Sequence, residues 1–120
     1  MVALAAILLP PQAGMAQVVG GSLDPTFDQD GVRVDDFGSE DTARGVALQP
    51  DGRIVVAGTS CGGDILVARY TSAGALDPSF GSGGRVCIDV AAGSQDQGEE
   101  IFVLADGRLL VAGTSGGDFA

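Results

Sequence analysis

The chain has 120 residues, a formal net charge of −10, six basic residues that are all arginine, and no histidine. Without histidine there is no Ser-His-Asp or Cys-His relay and no HExxH zinc site. Its two cysteines are too few for a four-sulfur zinc site or an iron–sulfur cluster. Binding to the phosphate backbone of a nucleic acid requires clustered positive charge, whereas this chain is strongly negative. We therefore expect no nucleic-acid partner.

The amino-terminal segment differs from the rest of the chain. Residues 2–9 are an unbroken apolar run that ends at two prolines. Spanning a bilayer takes roughly 20 apolar residues, so we expect no membrane span. The run suits the core of a secretory signal, and Gly14 and Ala16 offer small side chains at positions −3 and −1 for cleavage before Gln17. We therefore expect a leader over residues 1–16 and a secreted, periplasmic or cell-surface protein. Since no Lys or Arg precedes the run, an apolar strand or a disordered leader is the alternative.

Three sequence segments recur in the same order. The pairs are LDPTF at 23–27 with LDPSF at 76–80, DGRIVVAGTS at 51–60 with DGRLLVAGTS at 106–115, and GGDI at 62–65 with GGDF at 116–119. Their offsets are 53, 55 and 54 residues. A fixed period of this length is the signature of a tandem array that folds as a solenoid or a propeller.

Each unit contains four short runs of β-forming residues. In the unit that is complete these are residues 45–49, 54–58, 64–70 and 85–90. An Asp-Gly pair at 51–52 predicts a hairpin turn between the first two runs. No segment has a helical period, so we expect an all-β protein built from β-propeller-type blades of four antiparallel strands. A sandwich or another β-solenoid is the alternative.

The second run indicates how the blades are packed. Residues 54–57 are all apolar, whereas a strand with one solvated face alternates apolar and polar residues. This run is therefore expected to be buried on both faces, as in a propeller blade between two neighbours.

The motifs LDPTFxxxG at 23–31, LQPDGRIVVAGTS at 48–60, LVARYTSAGALDPSF at 66–80 and LDPSFGSGG at 76–84 resemble the delta-60 repeat, a bacterial propeller-type repeat related to NHL-like repeats. The resemblance covers the chain from Leu23 onward. It implies several tandem copies in a secreted or surface-associated bacterial protein, and it carries no assigned catalytic residues. The sequence departs from the family pattern at residues 28–30, where Asp-Gln-Asp replaces the Gly-Ser-Gly of residues 81–83.

The repeat divides the chain into a leader and three parts of an array. We expect a partial repeat, its outer strand, over residues 17–37, a complete blade over 38–95 and a truncated next repeat over 96–120. An array that opens on a fourth strand suits ring closure by a blade shared between the two chain ends. We therefore expect a fragment of a longer protein, an incomplete array with exposed sheet edges and apolar blade faces, whose partners include further repeats of the same chain.

The most recognisable motif residues are expected to be structural. In the two LDP segments the aspartate caps a turn, the proline presets its φ, and the phenylalanine anchors the loop. The structural repeat positions are Leu23, Asp24, Pro25, Phe27, Asp51, Gly52, Gly58, Leu76, Asp77, Pro78, Phe80, Asp106, Gly107 and Gly113.

Two acidic groups are candidate sites. Asp28 and Asp30 lie in a glycine-containing loop, and hard cations such as calcium prefer carboxylate oxygens. Calcium at these two residues is the one cofactor considered, and a polar hairpin loop is the alternative. Asp96, Glu99 and Glu100 form a second group, for which acid–base chemistry is weighed against a solvated loop.

Two cysteines and one arginine are further candidate functional residues. Cys61 and Cys87 are expected to be separated by an intervening strand, which favours an exposed and a half-buried thiol over a disulfide. Arg69 is expected to pair with an aspartate of an LDP turn, with ligand binding as the alternative.

The sequence favours a non-catalytic, secreted or surface-associated propeller module that acts as a scaffold or binding platform for an unidentified protein or carbohydrate partner. The alternative is a metal-dependent propeller hydrolase similar to the gluconolactonase-like enzymes, although the chain has no asparagine to help hold a metal. A remnant without function is a third interpretation.

Overall fold

The computed structural model describes residues 2–5, 21–38 and 40–119. Nine strands and no helix are found in these ranges. The strands are β1 (Val2–Ala5), β2 (Val32–Asp35), β3 (Thr42–Leu48), β4 (Ile54–Ser60), β5 (Asp64–Tyr70), β6 (Arg85–Ile88), β7 (Asp96–Val103), β8 (Leu109–Ser115) and β9 (Asp118–Phe119). The expected cleavage site at residues 14–17 lies outside the described residues.

The strands form three antiparallel sheets that follow the repeat. Sheet A consists of β1 and β2, sheet B of β3 to β6 in chain order, and sheet C of β7 to β9. Sheet B is a complete four-stranded blade in which each strand pairs with the next along the chain. The expected all-β fold is confirmed.

The central strand β4 of sheet B is buried on both faces, because its alternate residues point to opposite sides and each side packs against another sheet. Val56 belongs to a buried cluster with Val2 of sheet A. Its neighbour Val55 belongs to a second cluster with Ile101 of sheet C. The expectation of a strand buried on both faces is therefore correct, and the three sheets stack as part of a β-propeller.

The strand boundaries agree with expectation best where residues are apolar. β5 covers residues 64–70 as expected, and β4 extends two residues further, to Ser60. β3 starts at Thr42, three residues before the expected start, because a β-bulge between Ala43 and Gly45 carries polar residues in the strand. The same irregularity lies between Gly98 and Glu100 in β7.

The first described residues form part of the fold. β1 pairs with β2, and Val2 is completely buried in the cluster on sheet B. An apolar strand, one of the alternatives for this segment, is therefore what the structure has at residues 2–5, and export stays a prediction. Among the described residues no helix is long and apolar enough to cross a membrane.

Candidate functional site

One end of the stacked sheets carries many polar side chains, and among them is Asp96, one of the candidate acids from the sequence. We call this end the rim and define it by residues 36–38, 40–42, 60–64 and 88–97. Here β3, β5 and β7 begin, while β4 and β6 end. Loops at one end of a rigid β-scaffold are the usual location of binding residues.

A buried carboxylate begins the first strand of sheet B. The Asp41 side chain accepts hydrogen bonds from the Ser60 hydroxyl at the end of β4 and from the backbone N–H of Phe37. Burial acts to raise the pKa of Asp41, but these hydrogen bonds outweigh it and the pKa is lowered. Asp41 therefore holds the loop after β2 against the end of β4.

The same arrangement recurs one repeat later at Asp96, which is completely buried. Its carboxylate accepts hydrogen bonds from the hydroxyls of Ser115 and Ser94 and from the backbone N–H of Val90, at 2.7 Å for Val90. These donors lower the pKa of Asp96 to about 2. Asp96 is therefore a structural group that joins the end of sheet B to sheet C.

The second acidic group is thus not brought together as a unit. Glu99 pairs with Arg44 of sheet B, with 3.1 Å between Arg44 Nη1 and Glu99 Oε2. Glu100 is exposed, and Asp96 is buried among hydroxyls. The three residues do not form the paired carboxylates that acid–base chemistry requires.

A polar cleft lies between sheets B and C at the rim. Its volume is about 430 Å³, which is within the range of ligand-binding clefts. It is lined by Glu40, Thr42, Arg44, Thr59, Gly62, Gly63, Gln95 and Gln97. Hydroxyl and amide groups that donate and accept hydrogen bonds stand here beside the Arg44–Glu99 ion pair.

A different set of acids meets beside this cleft. Carboxylate oxygens of Asp64, Asp89 and Asp96 lie within 4.8 Å of one another, a grouping that sequence analysis missed. Three oxygens are about half of the 6–8 that calcium takes. Asp96 already accepts hydrogen bonds from Ser115, Ser94 and Val90, which use most of the roughly four acceptor positions of a carboxylate. The geometry therefore carries no metal assignment.

The calcium candidates Asp28 and Asp30 serve their own loop. Asp30 accepts a hydrogen bond from the backbone N–H of Val32 at 2.9 Å. Asp28 forms an ion pair with Arg33, with 3.5 Å between Asp28 Oδ1 and Arg33 Nη1. Within the described ranges, they are not part of a group of three acids close enough to share a cation. Calcium at this loop stays a prediction.

The second LDP turn is tied to the strands by charge. Asp77, which is 5% exposed, accepts the backbone N–H and hydroxyl of Ser79, and these hydrogen bonds lower its pKa. Its other oxygen lies 2.8 Å from Nε of Arg69 and 3.0 Å from Nε of Arg53. The expected pairing of Arg69 with an LDP aspartate is confirmed.

The expectation of two separate thiols is wrong. Cys61 and Cys87 form a disulfide with a Cα–Cα distance of 6.2 Å. Cys61 has a positive φ of 58° in the β4–β5 turn, so the chain does not continue in line with β4 and reaches β6 across the start of β5. Their exposure is also reversed, since Cys87 is exposed and Cys61 half-buried.

Comparison with known protein families identifies the type of the repeat that forms sheet B. Residues 49–80 match a family model described as a domain of unknown function (DUF5122) β-propeller. The repeat is of the β-propeller type. The match covers β4 and β5, the two central strands of sheet B, and ends at the second LDP segment. Neither a curated protein nor a solved structure matches the chain.

The residues that sequence analysis missed had a detectable signal in the repeat itself. Asp41 and Asp96 are 55 residues apart, as are Ser60 and Ser115. The repeat alone therefore shows that the two Asp–Ser pairs occupy equivalent positions. Arg44 and Glu99 share the same offset with opposite charge. Nothing in the spacing indicated that they meet across the gap between two sheets.

Proposed function

We propose that this chain is a non-catalytic binding platform, a secreted or surface-associated bacterial propeller module of the delta-60 type. The single observation that carries the binding role is the polar cleft between sheets B and C. Propeller rims commonly bind their ligands through loops and blade edges, but the fold alone does not decide function.

A polar protein segment is the partner that the lining fits best. Side-chain amides such as those of Gln95 and Gln97 pair with peptide groups because both have a donor and an acceptor. The charges of Glu40, Arg44 and Glu99 can orient a partner of mixed charge. A carbohydrate is the other outcome that the test below distinguishes.

A structural use for the buried carboxylates supports a non-catalytic role. Asp41, Asp77 and Asp96 accept hydrogen bonds from backbone N–H groups and hydroxyls, and in each case the pKa is lowered. A general acid needs a raised pKa close to the working pH. These three groups are therefore poorly suited to donate protons.

A disulfide between Cys61 and Cys87 supports export, because disulfides persist in the oxidising environments outside the cytoplasm. The apolar run at residues 2–9 points in the same direction.

The binding role is tested by selecting random displayed peptides on the immobilised chain. A variant with Arg44→Ala and Gln97→Ala serves as the matched counter-target. Arg108→Ala serves as the control, because Arg108 is exposed and directly precedes β8 at the end of the strand opposite the rim. We expect selected peptides to lose at least about tenfold in affinity for the cleft variant and to bind the control normally.

Three results would contradict this proposal. Peptides that bind both variants equally would place binding elsewhere, and a glycan array with cleft-dependent signals would identify a carbohydrate partner instead. Hydrolysis of lactones in the presence of divalent metal ions would favour the gluconolactonase-like alternative.

A further inference from the structure

Sheet B has an incompletely covered face on the side of sheet A. Val46 and Leu48 of β3 are 66% and 70% exposed. One repeat later, the equivalent residues Ile101 and Val103 pack against sheet B, and Ile101 is only 3% exposed. The difference arises because sheet A has two strands within the described ranges, and none of the described residues takes the place of the first or second strand of a blade beside Val46 and Leu48.

Sheet C has the complementary open face. Phe102 and Leu110 are 51% and 52% exposed. Their equivalents in sheet B are Ala47 and Val55, which pack in the cluster between sheets B and C. The molecule therefore presents two halves of the same kind of interface, one at each end of the stack.

The register of sheet A matches that of a blade. β1 pairs with β2 through Val2↔Asp35 and Ala5↔Val32. β5 pairs with β6 in the same sense through Ile65↔Ile88 and Ala68↔Arg85. Since β2 and β6 are 53 residues apart in the repeat, β1 occupies the place of a third strand.

The unfilled strand places form an apolar groove. It has a volume of about 460 Å³ and lies between β1 and the exposed part of β3. Its lining includes Leu4, Val46, Leu48, Ile54 and Val56. An apolar face of this kind on a soluble chain marks an interaction surface.

We propose that this groove binds sheet C of a second copy of the chain. β7 and β8 of that copy supply the first and second strands of a composite blade, and β1 and β2 supply the third and fourth. Phe102 and Leu110 of the second copy then cover Val46 and Leu48. The contact continues the arrangement that already joins sheets B and C within one chain.

The strand register sets a condition on this contact. β9 corresponds to Asp64–Ile65 of the repeat and β1 to Ile65–Ala68, so they overlap at one position. Phe119 and Val2 share the position of Ile65, and Val2 is completely buried there. The contact therefore requires Phe119 to leave the strand, so that the third strand of the composite blade passes from Asp118 to β1.

The proposed interface joins two different surfaces, so it is heterologous and closes into a ring when the rotation permits. Each copy contributes sheet B and one composite blade. Propellers typically have 4–8 blades, which corresponds to two, three or four copies. This inference does not rest on the proposed binding function.

The test is the solution mass of the 120-residue chain and of two face variants, measured by light scattering and native mass spectrometry. One variant carries Val46→Glu with Leu48→Glu, and the other carries Phe102→Glu with Leu110→Glu. A matched control carries Ala92→Glu with Ala105→Glu, at exposed turn positions. Circular dichroism checks that each retains β-structure.

We expect the wild type and the control to form rings of two, three or four 11.9 kDa chains and each face variant to be monomeric. Mixing the two variants should restore a one-to-one dimer, because one retains the groove and the other retains the open face of sheet C. A monomeric wild type, or folded variants that fail to associate on mixing, would overturn the proposal.

Discussion

Arg44 and Glu99 occupy the same position in consecutive repeats and form an ion pair between sheets B and C, with 3.1 Å between Nη1 and Oε2. The pair borders the polar cleft at the rim, so one contact belongs both to blade packing and to the candidate site. Its side chains are 43% and 37% exposed, which limits its contribution to stability.

Replacing Arg44 with alanine is therefore expected to separate binding from folding. Exposed ion pairs contribute about 0–1 kcal/mol, so the free energy of unfolding in urea should fall by no more than that. Peptide binding at the cleft should fall about tenfold or more. A large loss of stability would show that the ion pair is a main element of blade packing.

Gly58 is expected to tolerate no side chain. A β-carbon there would overlap the backbone carbonyl of Thr42, where the bulged first strand crosses close to β4. Gly58→Ala should lower the free energy of unfolding by about 2 kcal/mol, as overpacking in a tight interior does. Denaturant unfolding gives the value.

The matched control for Gly58 is Gly93→Ala. Gly93 has open space around it but a φ of 82°, so alanine there should cost about 1 kcal/mol from backbone strain alone. An equal or smaller loss at Gly58 would contradict the proposed steric role.

Removing the disulfide is expected to destabilise the chain. Cys61 and Cys87 are 26 residues apart, and a loop of this size corresponds to about 3.5 kcal/mol in the chain-entropy description. Cys87→Ser and Cys61→Ser should each lower the free energy of unfolding by a similar amount. Addition of reductant should destabilise the wild type and leave both variants unchanged; a reductant-insensitive wild type would mean that the bond does not form.

The stability of the chain is expected to depend on Asp96 at low pH. Its pKa of about 2 in the folded chain lies below the unfolded value of about 4, so the stabilising contribution is present above pH 4 and is lost as the pH falls toward 2. Asp96→Asn should flatten the wild-type fall in stability between those pH values. Glu100→Gln is the control at an exposed carboxylate, and an Asp96 variant with the wild-type pH profile would contradict the assignment.

The repeat made much of the fold predictable. Four β-runs per unit follow from their apolar residues and Asp-Gly turns, and β5 was placed at residues 64–70 because Asp64 and Tyr70 bound an apolar stretch. The start of β3 was harder to predict from the sequence. Thr42 and Arg44 are polar, and the bulge interrupts the alternation of residues on which strand prediction depends.

The site was harder to predict because its residues meet across sheets. Arg69 and Asp77 lie eight residues apart at the ends of a local connection, and their pairing was foreseen. The Cys61–Cys87 bridge depends on the β4–β5 turn, in which Cys61 and the two glycines after it all have positive φ. The grouping of Asp64, Asp89 and Asp96 depends on where three strands start or end. Neither follows from spacing along the chain.

The most direct test of the stacked-blade arrangement is a methyl NOE measurement on the isotope-labelled chain. Ile101 of sheet C lies in one buried cluster with Ile65 and Val67 of sheet B. We expect cross-peaks between the methyl groups of Ile101 and those of Ile65 or Val67. An Ile101 methyl that shows no contact with β5 in a folded sample would contradict the stacking of sheet C on sheet B.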